Sequence, residues 1–439
     1  MALRVSVIGT GYLGATHAAC MAELGFDVIG YDVDEAKIEL LRSGRVPFFE
    51  PGLPELVTKQ VEAGRLRFTT DIAEVAEFAD VHFICVGTPQ VKDGFAADLK
   101  YVYAALESLA PLLTRDALVV GKSTVPSGTA AALAIRLAEL APGGDSVELA
   151  WNPEFLREGF AVKDTLRPER LVIGVESARA EKILREVWAP LTDAGIPLIV
   201  TDFATAELVK VAANSFLATK ISFINAMAEI CETTGADVTQ LAAALALDTR
   251  IGGRFLHAGL GFGGGCLPKD IRAFMARAEE LGVDQAVGFL REVDAINQRR
   301  RARMVDLARE QVGGDFTDKR IGVLGAAFKP NSDDVRDSPA LDVAASIHGE
   351  GGVVSVYDPE AMPNARTRNP DLTYASSTVA ACTDADVVLH LTEWREFRDL
   401  DPSVLSAVVA SKHIVDGRNA LDPARWRAAG WTYRALGRP

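Results

Sequence analysis

Residues 3–14, LRVSVIGTGYLG, join a short apolar strand directly to the pattern Gly-x-Gly-x-x-Gly, and an apolar helical stretch follows. In this setting the glycines allow a tight turn, close approach of a pyrophosphate to the backbone, and close packing of the helix on the strand. A purely structural glycine turn is the alternative, but the strand before it and the helix after it favour dinucleotide binding. We therefore expect a Rossmann-type domain whose cofactor lies against Gly9, Gly11, Tyr12, Leu13 and Gly14.

The next strand indicates which dinucleotide is bound. Residues 27–31, DVIGY, read as a strand that ends at Asp32. A carboxylate at this position can accept hydrogen bonds from both ribose hydroxyls of NAD and would repel the 2′-phosphate of NADP. The sequence therefore predicts NAD as the cofactor.

The opening pattern recurs near the carboxyl terminus. Residues 320–325, RIGVLG, resemble residues 4–9, RVSVIG, and residues 354–358, VSVYD, echo residues 28–32, VIGYD. The second copy lacks the glycine motif, so we expect it to serve a different ligand. Strands alternate with helical stretches in both parts, which indicates mostly parallel sheets. We predict an α/β protein with two Rossmann-like, doubly wound parallel-sheet domains joined by a long central helix, with domains at 1–200, 201–300 and 301–439.

Composition excludes several classes of partner. The formal net charge of −14 argues against nucleic acid and anionic membranes, because an acidic surface has nothing to neutralise there. No segment has the uninterrupted apolar length of a membrane span. The cysteines are odd in number and widely spaced, and the histidines are scattered. This predicts neither a disulfide framework nor a metal site, and it suits a reducing cytoplasm.

One cysteine stands apart from the others. Residues 259–270, GLGFGGGCLPKD, place Cys266 where a glycine-rich loop leads into a helix, with Pro268 suited to its first turn. Exposed N–H groups and the helix dipole at such a position favour a thiolate. A packed, inert cysteine is the alternative. The composition of the loop favours a reactive thiol.

Three further segments carry polar groups that could take part in catalysis. Lys210 and Asn214 are four residues apart and face the same side of a predicted helix, where they could stabilise an oxyanion. Residues 123–129, STVPSGT, follow a strand and belong at the ligand-binding edge of the sheet. Residues 152–159, NPEFLREG, form a polar loop with two carboxylates. Taken alone, the Lys-Asn pair could be merely exposed and the polar loop merely a solvated turn.

Together these segments resemble the UDP-glucose/GDP-mannose dehydrogenase family over nearly the whole chain. The motifs occur in the family's order, and the Gly-Gly-x-Cys-x-Pro-Lys-Asp pattern at 263–270 is highly specific. Such enzymes oxidise the primary alcohol of a sugar nucleotide to an acid with two NAD, through an aldehyde and a cysteine-bound thioester. The departures are small: Gly265 stands where serine is frequent, and Gln90 and Ser332 each replace a frequent threonine.

The resemblance implies roles for individual residues. Cys266 would add to the aldehyde, Lys210 and Asn214 would hold the oxyanion, and Asp270, Thr124 and Glu154 would position or activate water. It implies NAD contacts beyond the glycine turn from Asp32, Lys37, Thr88, Thr124, Glu158 and Arg336. It implies substrate contacts from Glu154, Phe155, Leu156, Lys210, Asn214, Arg250, Phe255, Leu256, Phe262, Gly263, Phe328, Lys329 and Arg418.

The resemblance also implies the partners. Arg250 matches a residue that reaches the substrate of the neighbouring subunit, which implies a homodimer. Residues 156–159 and 255–263 look more like the UDP-glucose branch of the family than the GDP-mannose or UDP-N-acetylmannosamine branches. A rival is a single-hydride dehydrogenase of the 6-phosphogluconate or hydroxyacid type. That rival would leave Cys266 and the third domain without a role, and it would form one NADH per substrate instead of two.

Overall fold

The computed structural model describes residues 3–439 and shows an α/β protein with two sheets. The strands are β1 Arg4–Ile8, β2 Asp27–Tyr31, β3 Leu66–Thr69, β4 Val81–Ile84, β5 Ala117–Gly121, β6 Val147–Trp151, β7 Leu171–Gly174, β8 Leu198–Thr201, β9 Arg320–Leu324, β10 Val353–Tyr357, β11 Thr373–Tyr374, β12 Val387–His390, β13 His413–Asp416 and β14 Thr432–Ala435.

At least one helix lies between each strand and the next along the chain. They are α1 Tyr12–Glu23, α2 Glu35–Arg42, α3 Leu53–Glu62, α4 Ile72–Phe78, α5 Lys100–Leu109, α6 Thr129–Leu140, α7 Ala161–Leu166, α8 Ala178–Thr192, α9 Phe203–Thr234, α10 Val238–Ala246, α11 Leu267–Glu280, α12 Phe289–Gln311, α13 Pro339–Gly349, α14 Met362–Arg368, α15 Thr378–Cys382, α16 Arg395–Arg398, α17 Pro402–Ser406 and α18 Pro423–Ala428. None of the helices in this described part of the chain has both the length and the apolar character needed to cross a membrane.

The first sheet has the strand order β3-β2-β1-β4-β5-β6-β7-β8. Its first six strands follow the Rossmann order and pair in parallel, as in a doubly wound fold. The β6–β7 contact is antiparallel and is limited to Trp151 opposite Gly174, after which β8 pairs with β7 in parallel. Apolar residues of β1, β4 and β5 are buried on both faces, as expected for a parallel sheet covered by helices.

The second sheet repeats the same topology with fewer strands. Its order is β11-β10-β9-β12-β13-β14, and the neighbouring strands pair in parallel. The internal repeat seen in the sequence therefore corresponds to two sheets of the same topology, and the predicted fold class is confirmed. A core that includes Val323, Ala344, Val388 and Trp426 packs around this sheet.

Two compact units divide the chain. The first comprises residues 1–213 and 272–283, and the second comprises 214–271 and 284–439. The long helix α9 passes from the first unit into the second between Ala213 and Asn214. The three domain ranges drawn from the sequence stay a prediction.

Candidate functional site

The predicted cofactor turn joins β1 to α1 in the first unit. Gly9 has a φ of +89°, and Gly11 precedes the first residue of α1. A Cβ at Gly14 would overlap the carbonyl oxygen of Gly9, so this glycine lets the helix lie close to the turn. A Cβ at Gly11 would meet no protein atom within 4 Å among the described residues, so this glycine is not needed for packing. The turn presents the N-terminus of α1, with Tyr12 and Leu13 in its first turn, in the way that suits a phosphate.

Asp32 ends β2 beside this turn. Its Oδ2 accepts hydrogen bonds from Thr10 N at 2.9 Å and from Lys37 Nζ at 2.8 Å, and its side chain is 9% exposed. Burial by itself raises the pKa of Asp32, but the bonds from Lys37, Asp34 N and Thr10 N outweigh it and hold the pKa below its ordinary value. Asp32 is therefore an ionised acceptor, and the structure places Lys37, another residue implied as an NAD contact, beside it.

Glu50, which sequence reasoning missed, ties the cofactor turn to the loop at 152–159. The hydroxyl of Tyr12 donates to the Glu50 carboxylate. The same carboxylate accepts from Gly159 N at 2.6 Å and from Ala161 N at 2.7 Å. Glu50 thus fixes the end of this loop, next to the buried Glu158, against the first residue of α1.

Thr88 and Thr124 meet at the carboxyl ends of β4 and β5. The Thr88 hydroxyl donates to the carbonyl oxygen of Thr124 at 2.8 Å. Ser123 Oγ donates to Val86 O at 2.7 Å and links the same two segments. These are the sheet edges at which ligands bind in doubly wound folds.

Glu154 forms an ion pair with a buried lysine that the sequence analysis did not single out. Lys122 Nζ lies 3.1 Å from Glu154 Oε2 and donates to Asn152 Oδ1 at 3.1 Å. Glu154 Oε1 accepts from Phe155 N at 2.7 Å and from Leu156 N at 2.9 Å. Burial raises the pKa of Glu154, but the charge of Lys122 and these bonds outweigh it and lower the pKa. The sequence did contain a signal for Lys122, because a lysine directly after the buried strand at 117–121 lies at the ligand-binding edge of the sheet.

Lys210 lies against the ring of Phe155. Its Nζ is 5.6 Å from the ring centroid, and the guanidinium carbon of Arg170 is 4.1 Å from the same centroid. Two cations therefore flank this aromatic ring. The structure brings together Lys210 and Phe155, which the sequence predicts as substrate-binding residues, and adds Arg170.

Helix α9 is also anchored to the loop that carries Thr124. Glu207, one turn before Lys210, accepts from Gly128 N at 2.7 Å and from Ala130 N at 2.6 Å. Arg277 Nε donates to Ser127 O at 3.0 Å. The N-terminus of α6 thus receives a buried carboxylate, which favours it electrostatically.

In the second unit, Asn214 and Asp270 are hydrogen-bonded. Asn214 Nδ2 donates to Asp270 Oδ2 at 2.6 Å, and Lys269 Nζ lies 2.5 Å from Asp270 Oδ1. Asn214 and Asp270 are buried. The amide and carboxylate chosen from the sequence therefore form one polar group.

Cys266 is exposed directly before α11, which begins at Leu267. Its carbonyl oxygen accepts from Asp270 N at 2.9 Å, so the cysteine occupies the helix N-terminus as predicted. The remaining cysteines are buried, and burial raises the pKa of each of these thiols, to about 12 for Cys85 and Cys382. Cys266 is thus the exposed thiol among the described residues.

The glycines before Cys266 allow close packing in the second unit. A Cβ at Gly264 would lie 2.7 Å from the ring of Phe328, and one at Gly265 would overlap the guanidinium of Arg336. Gly264 N donates to Arg336 O at 2.8 Å. Phe328 and Arg336 therefore lie against the cysteine loop.

Arg418 is committed to backbone carbonyls. It donates to Leu391 O at 2.7 Å, to Gly261 O at 2.9 Å and to Phe328 O at 3.0 Å. Burial lowers the pKa of this guanidinium, and Glu393 opposes that effect. Arg418 therefore connects the cysteine loop to the Phe328 segment, and its implied contact with the substrate stays a prediction.

The other predicted substrate residues are spread along the second unit. Phe262 N donates to Asn297 Oδ1 at 2.8 Å, which anchors the loop beside Gly263. Leu256 is buried, Phe255 adopts a φ of +66°, and the Lys329 ammonium lies 5.2 Å from the centroid of Phe328. Arg250 is not gathered with them in this chain, because its side chain is 86% exposed and pairs with Asp248.

The first sheet, with its glycine turn and Asp32, defines a dinucleotide-binding α/β protein. Comparison with known families narrows this class. Residues 3–192 match the NAD-binding domain of the UDP-glucose/GDP-mannose dehydrogenase family, residues 204–299 match its central domain, and residues 322–423 match its UDP-binding domain. The chain therefore belongs to this family, and it is an NAD-dependent nucleotide-sugar dehydrogenase.

Named relatives cover the chain from end to end. It is 43% identical to a UDP-glucose 6-dehydrogenase of Rhizobium meliloti, with 100% of both chains covered. A solved UDP-glucose dehydrogenase from Pyrobaculum islandicum has a TM-score of 0.92 and 39% identity, and the match covers 100% of this chain and 98% of that one. A solved UDP-D-ManNAc dehydrogenase from Pyrococcus horikoshii has a TM-score of 0.87 and 28% identity over 99% of both chains.

Proposed function

We propose that the protein is a UDP-glucose 6-dehydrogenase that oxidises UDP-glucose to UDP-glucuronate with two NAD. The observation that carries this proposal is the exposed Cys266 at the N-terminus of α11, in a loop packed against Phe328 and Arg336. A nucleophilic thiol suits a four-electron oxidation because it retains the aldehyde as a covalent adduct that can donate the second hydride. The identities to relatives named as UDP-glucose dehydrogenases support the choice of sugar.

The first oxidation requires a proton acceptor and a charged group for the alcohol oxygen. NAD, when bound, takes up a hydride in each of the two oxidations. Lys210 supplies an ammonium, and Asn214, one turn further along α9, supplies an amide that is held by Asp270. These donors stabilise negative charge on the oxygen as the C6 hydroxyl passes its proton to a water molecule positioned by Asp270, with Thr124 and Glu154.

The second oxidation proceeds through Cys266. Its thiolate adds to C6 of the aldehyde, and the oxyanion that forms takes up a proton to give a thiohemiacetal. Loss of the C6 hydride and of the hydroxyl proton converts this adduct into a thioester. Water then attacks the thioester carbonyl, which releases the acid and returns the thiol. Glu154, Thr124 and Asp270 position this water.

The arrangement of surface residues supports a homodimer. Helix α9 exposes three apolar side chains at seven-residue intervals, Phe216, Phe223 and Ile230. Seven residues make about two helical turns, so these side chains lie in one stripe along the helix. Leu247 and Ile251, on either side of the exposed Arg250, are exposed as well. Apolar surface of this kind marks an interaction site. We assign it to a second copy of the chain, which would bring Arg250 to the partner's substrate.

A substrate panel tests the proposal. Purified protein is given NAD with UDP-glucose, UDP-N-acetylmannosamine or GDP-mannose, and NADH absorbance is followed. We expect kcat/KM to be highest with UDP-glucose. A preference for either of the other two sugar nucleotides would assign the same chemistry to that substrate. Oxidation of a hydroxyacid or of 6-phosphogluconate instead would overturn the proposed function.

A further inference from the structure

Lys122 is a buried charge to which the proposed reaction has assigned no step. Its side chain is 2% exposed, at the end of β5, whereas the side chain of its partner Glu154 is 19% exposed. The ammonium also lies 5.5 Å from the ring of Trp188 and 5.9 Å from that of Phe83. Burying an ammonium is costly unless it is paired. The inward lysine and the outward carboxylate therefore form a unit whose accessible part is Glu154.

The hydrogen bonds of Glu154 leave little freedom to its carboxylate. Oε1 accepts from Phe155 N and Leu156 N, which uses both of its lone pairs. Oε2 faces Lys122, which uses one more. These three donors take three of the four lone-pair positions of the carboxylate, which leaves one acceptor position on Oε2. A carboxylate held in this way can orient a single water molecule or hydroxyl group.

The histidine and the two cysteines near the Lys122–Glu154 pair are uncharged. Burial lowers the pKa of His17, and the charge of Lys122 lowers it further, so this imidazole is neutral. Burial raises the pKa of Cys20 and of Cys85, so both thiols are protonated. Lys210 and Arg170 lie over the ring of Phe155, the residue after Glu154. Lys122 is thus the cation in direct contact with the carboxylate.

We propose that Lys122 is a positioning residue for the proposed oxidation, which holds Glu154 as an oriented carboxylate with one acceptor position for water. This inference rests on the proposed function, in which Glu154 serves thioester hydrolysis. It requires no direct contact between Lys122 and the substrate. It predicts that removal of the ammonium acts through the charge of Glu154 and not through loss of packing.

The test uses Lys122→Met, Glu154→Gln and the double variant. Methionine preserves most of the length of the lysine and removes its charge. At neutral pH we expect Lys122→Met to lower kcat about 10²-fold, the size typical of lost proton-transfer catalysis. The acid limb of its pH–rate profile should move upward by about 1–3 pH units, because an opposite charge next to a carboxylate lowers its pKa by that amount. Adding Lys122→Met to Glu154→Gln should change kcat by less than about twofold, since coupled residues are not additive.

A matched control and a second measurement separate the explanations. Lys59→Met removes a lysine from an exposed pair with Glu23 and should leave kcat unchanged. Infrared difference spectra, recorded without substrate, should show a protonated carboxyl band near neutral pH in Lys122→Met that is absent from the wild type and the double variant. The double variant buries no unpaired charge, so it should fold even where Lys122→Met does not.

Equal losses of kcat in the wild-type and Glu154→Gln backgrounds, or no such carboxyl band in Lys122→Met, would overturn the role of Lys122. The infrared result does not depend on the substrate. If the wild type fails to oxidise UDP-glucose while the band appears as expected, the proposed substrate is wrong and the pairing of Lys122 with Glu154 stands.

Discussion

The turn after β1 and the turn after β9 occupy equivalent places in sheets of the same strand order. Each lies beside an aspartate at the end of the neighbouring strand. Asp32 accepts from Thr10 N at 2.9 Å, and Asp358 accepts from Ala326 N at 2.8 Å and from Ala327 N at 2.9 Å. In both places the aspartate at the end of one strand fixes the backbone of the turn that follows the neighbouring strand.

The two aspartates differ in what covers them. The side chain of Asp32 is 9% exposed, and besides Thr10 N it accepts from Asp34 N and from the flexible side chain of Lys37. Asp358 is fully buried, and it accepts from Trp394 Nε1 at 3.0 Å and from Ala361 N at 2.9 Å. The same topology can therefore support an accessible cofactor turn or a closed structural one. The position of an aspartate does not by itself identify a ribose site.

The largest expected effect concerns the second unit. Its turn at Asp358 is closed, and its predicted reactive group is the thiol of Cys266. Cys266→Ala should lower production of the sugar acid by about 10³-fold or more, because no covalent adduct can form. Binding of NAD, measured by fluorescence titration, should be nearly unchanged. Cys266→Ser should also lose turnover, and we expect it to accumulate an ester that intact-protein mass spectrometry detects.

Cys382→Ala is the control, because this buried thiol also belongs to the second unit. It should keep near-normal activity. The hypothesis that Cys266 is the reactive thiol is falsified if either Cys266 variant makes the acid at a near-normal rate.

The comparison of the aspartates predicts unequal losses of stability. Asp358→Ala leaves several buried N–H groups and the indole without an acceptor, so we expect a loss of about 3–5 kcal/mol, as for a broken buried polar network. Asp32→Ala should cost less, since Lys37 can turn towards solvent. Urea unfolding of the full-length variants measures both. Equal losses would mean that Asp32 is as structural as Asp358.

Asp32 should instead determine the choice of cofactor. We expect the wild type to prefer NAD, and Asp32→Ala to raise the ratio of kcat/KM for NADP over NAD by about tenfold, equivalent to about 1.4 kcal/mol. Steady-state kinetics with each cofactor provide the measurement. Comparable efficiency of the wild type with NADP would contradict the role given to Asp32.

The smallest expected effect is that of Arg250→Ala, which tests whether the substrate site of one subunit needs a residue of a second subunit. Arg250→Ala should weaken use of the substrate. If Arg250 acts across a dimer, random exchange between Arg250→Ala and Cys266→Ala subunits should restore roughly a quarter of wild-type activity, since half of the dimers are mixed and each has one intact site. No recovery after confirmed subunit exchange would argue against a shared site.

Short-range patterns accounted for most of the fold. The runs at 4–9 and 320–325 predicted both sheets, and residues 259–270 predicted a cysteine at a helix N-terminus, as found. Each is a local pattern in which glycine, apolar alternation or a helix start can be read directly. The predicted roles of the individual site residues stay predictions.

Long-range pairings could not be read from the sequence. Glu50 meets Gly159, Glu207 meets Gly128, and Lys122 meets Glu154 only because the fold brings distant segments together. The resemblance implies that Arg418 contacts the substrate, and nothing in its loop indicated its bonds to three backbone carbonyls. Such partners depend on tertiary packing, for which periodicity and motif spacing give no signal.

The central claim is a four-electron oxidation that uses an NAD site and a reactive cysteine. It is tested most directly by the number of NADH formed when a limiting amount of UDP-glucose is consumed completely with excess NAD. The account predicts two NADH per UDP-glucose, with UDP-glucuronate as the product by mass spectrometry. One NADH per UDP-glucose, with the oxidation ending at the aldehyde, would contradict it.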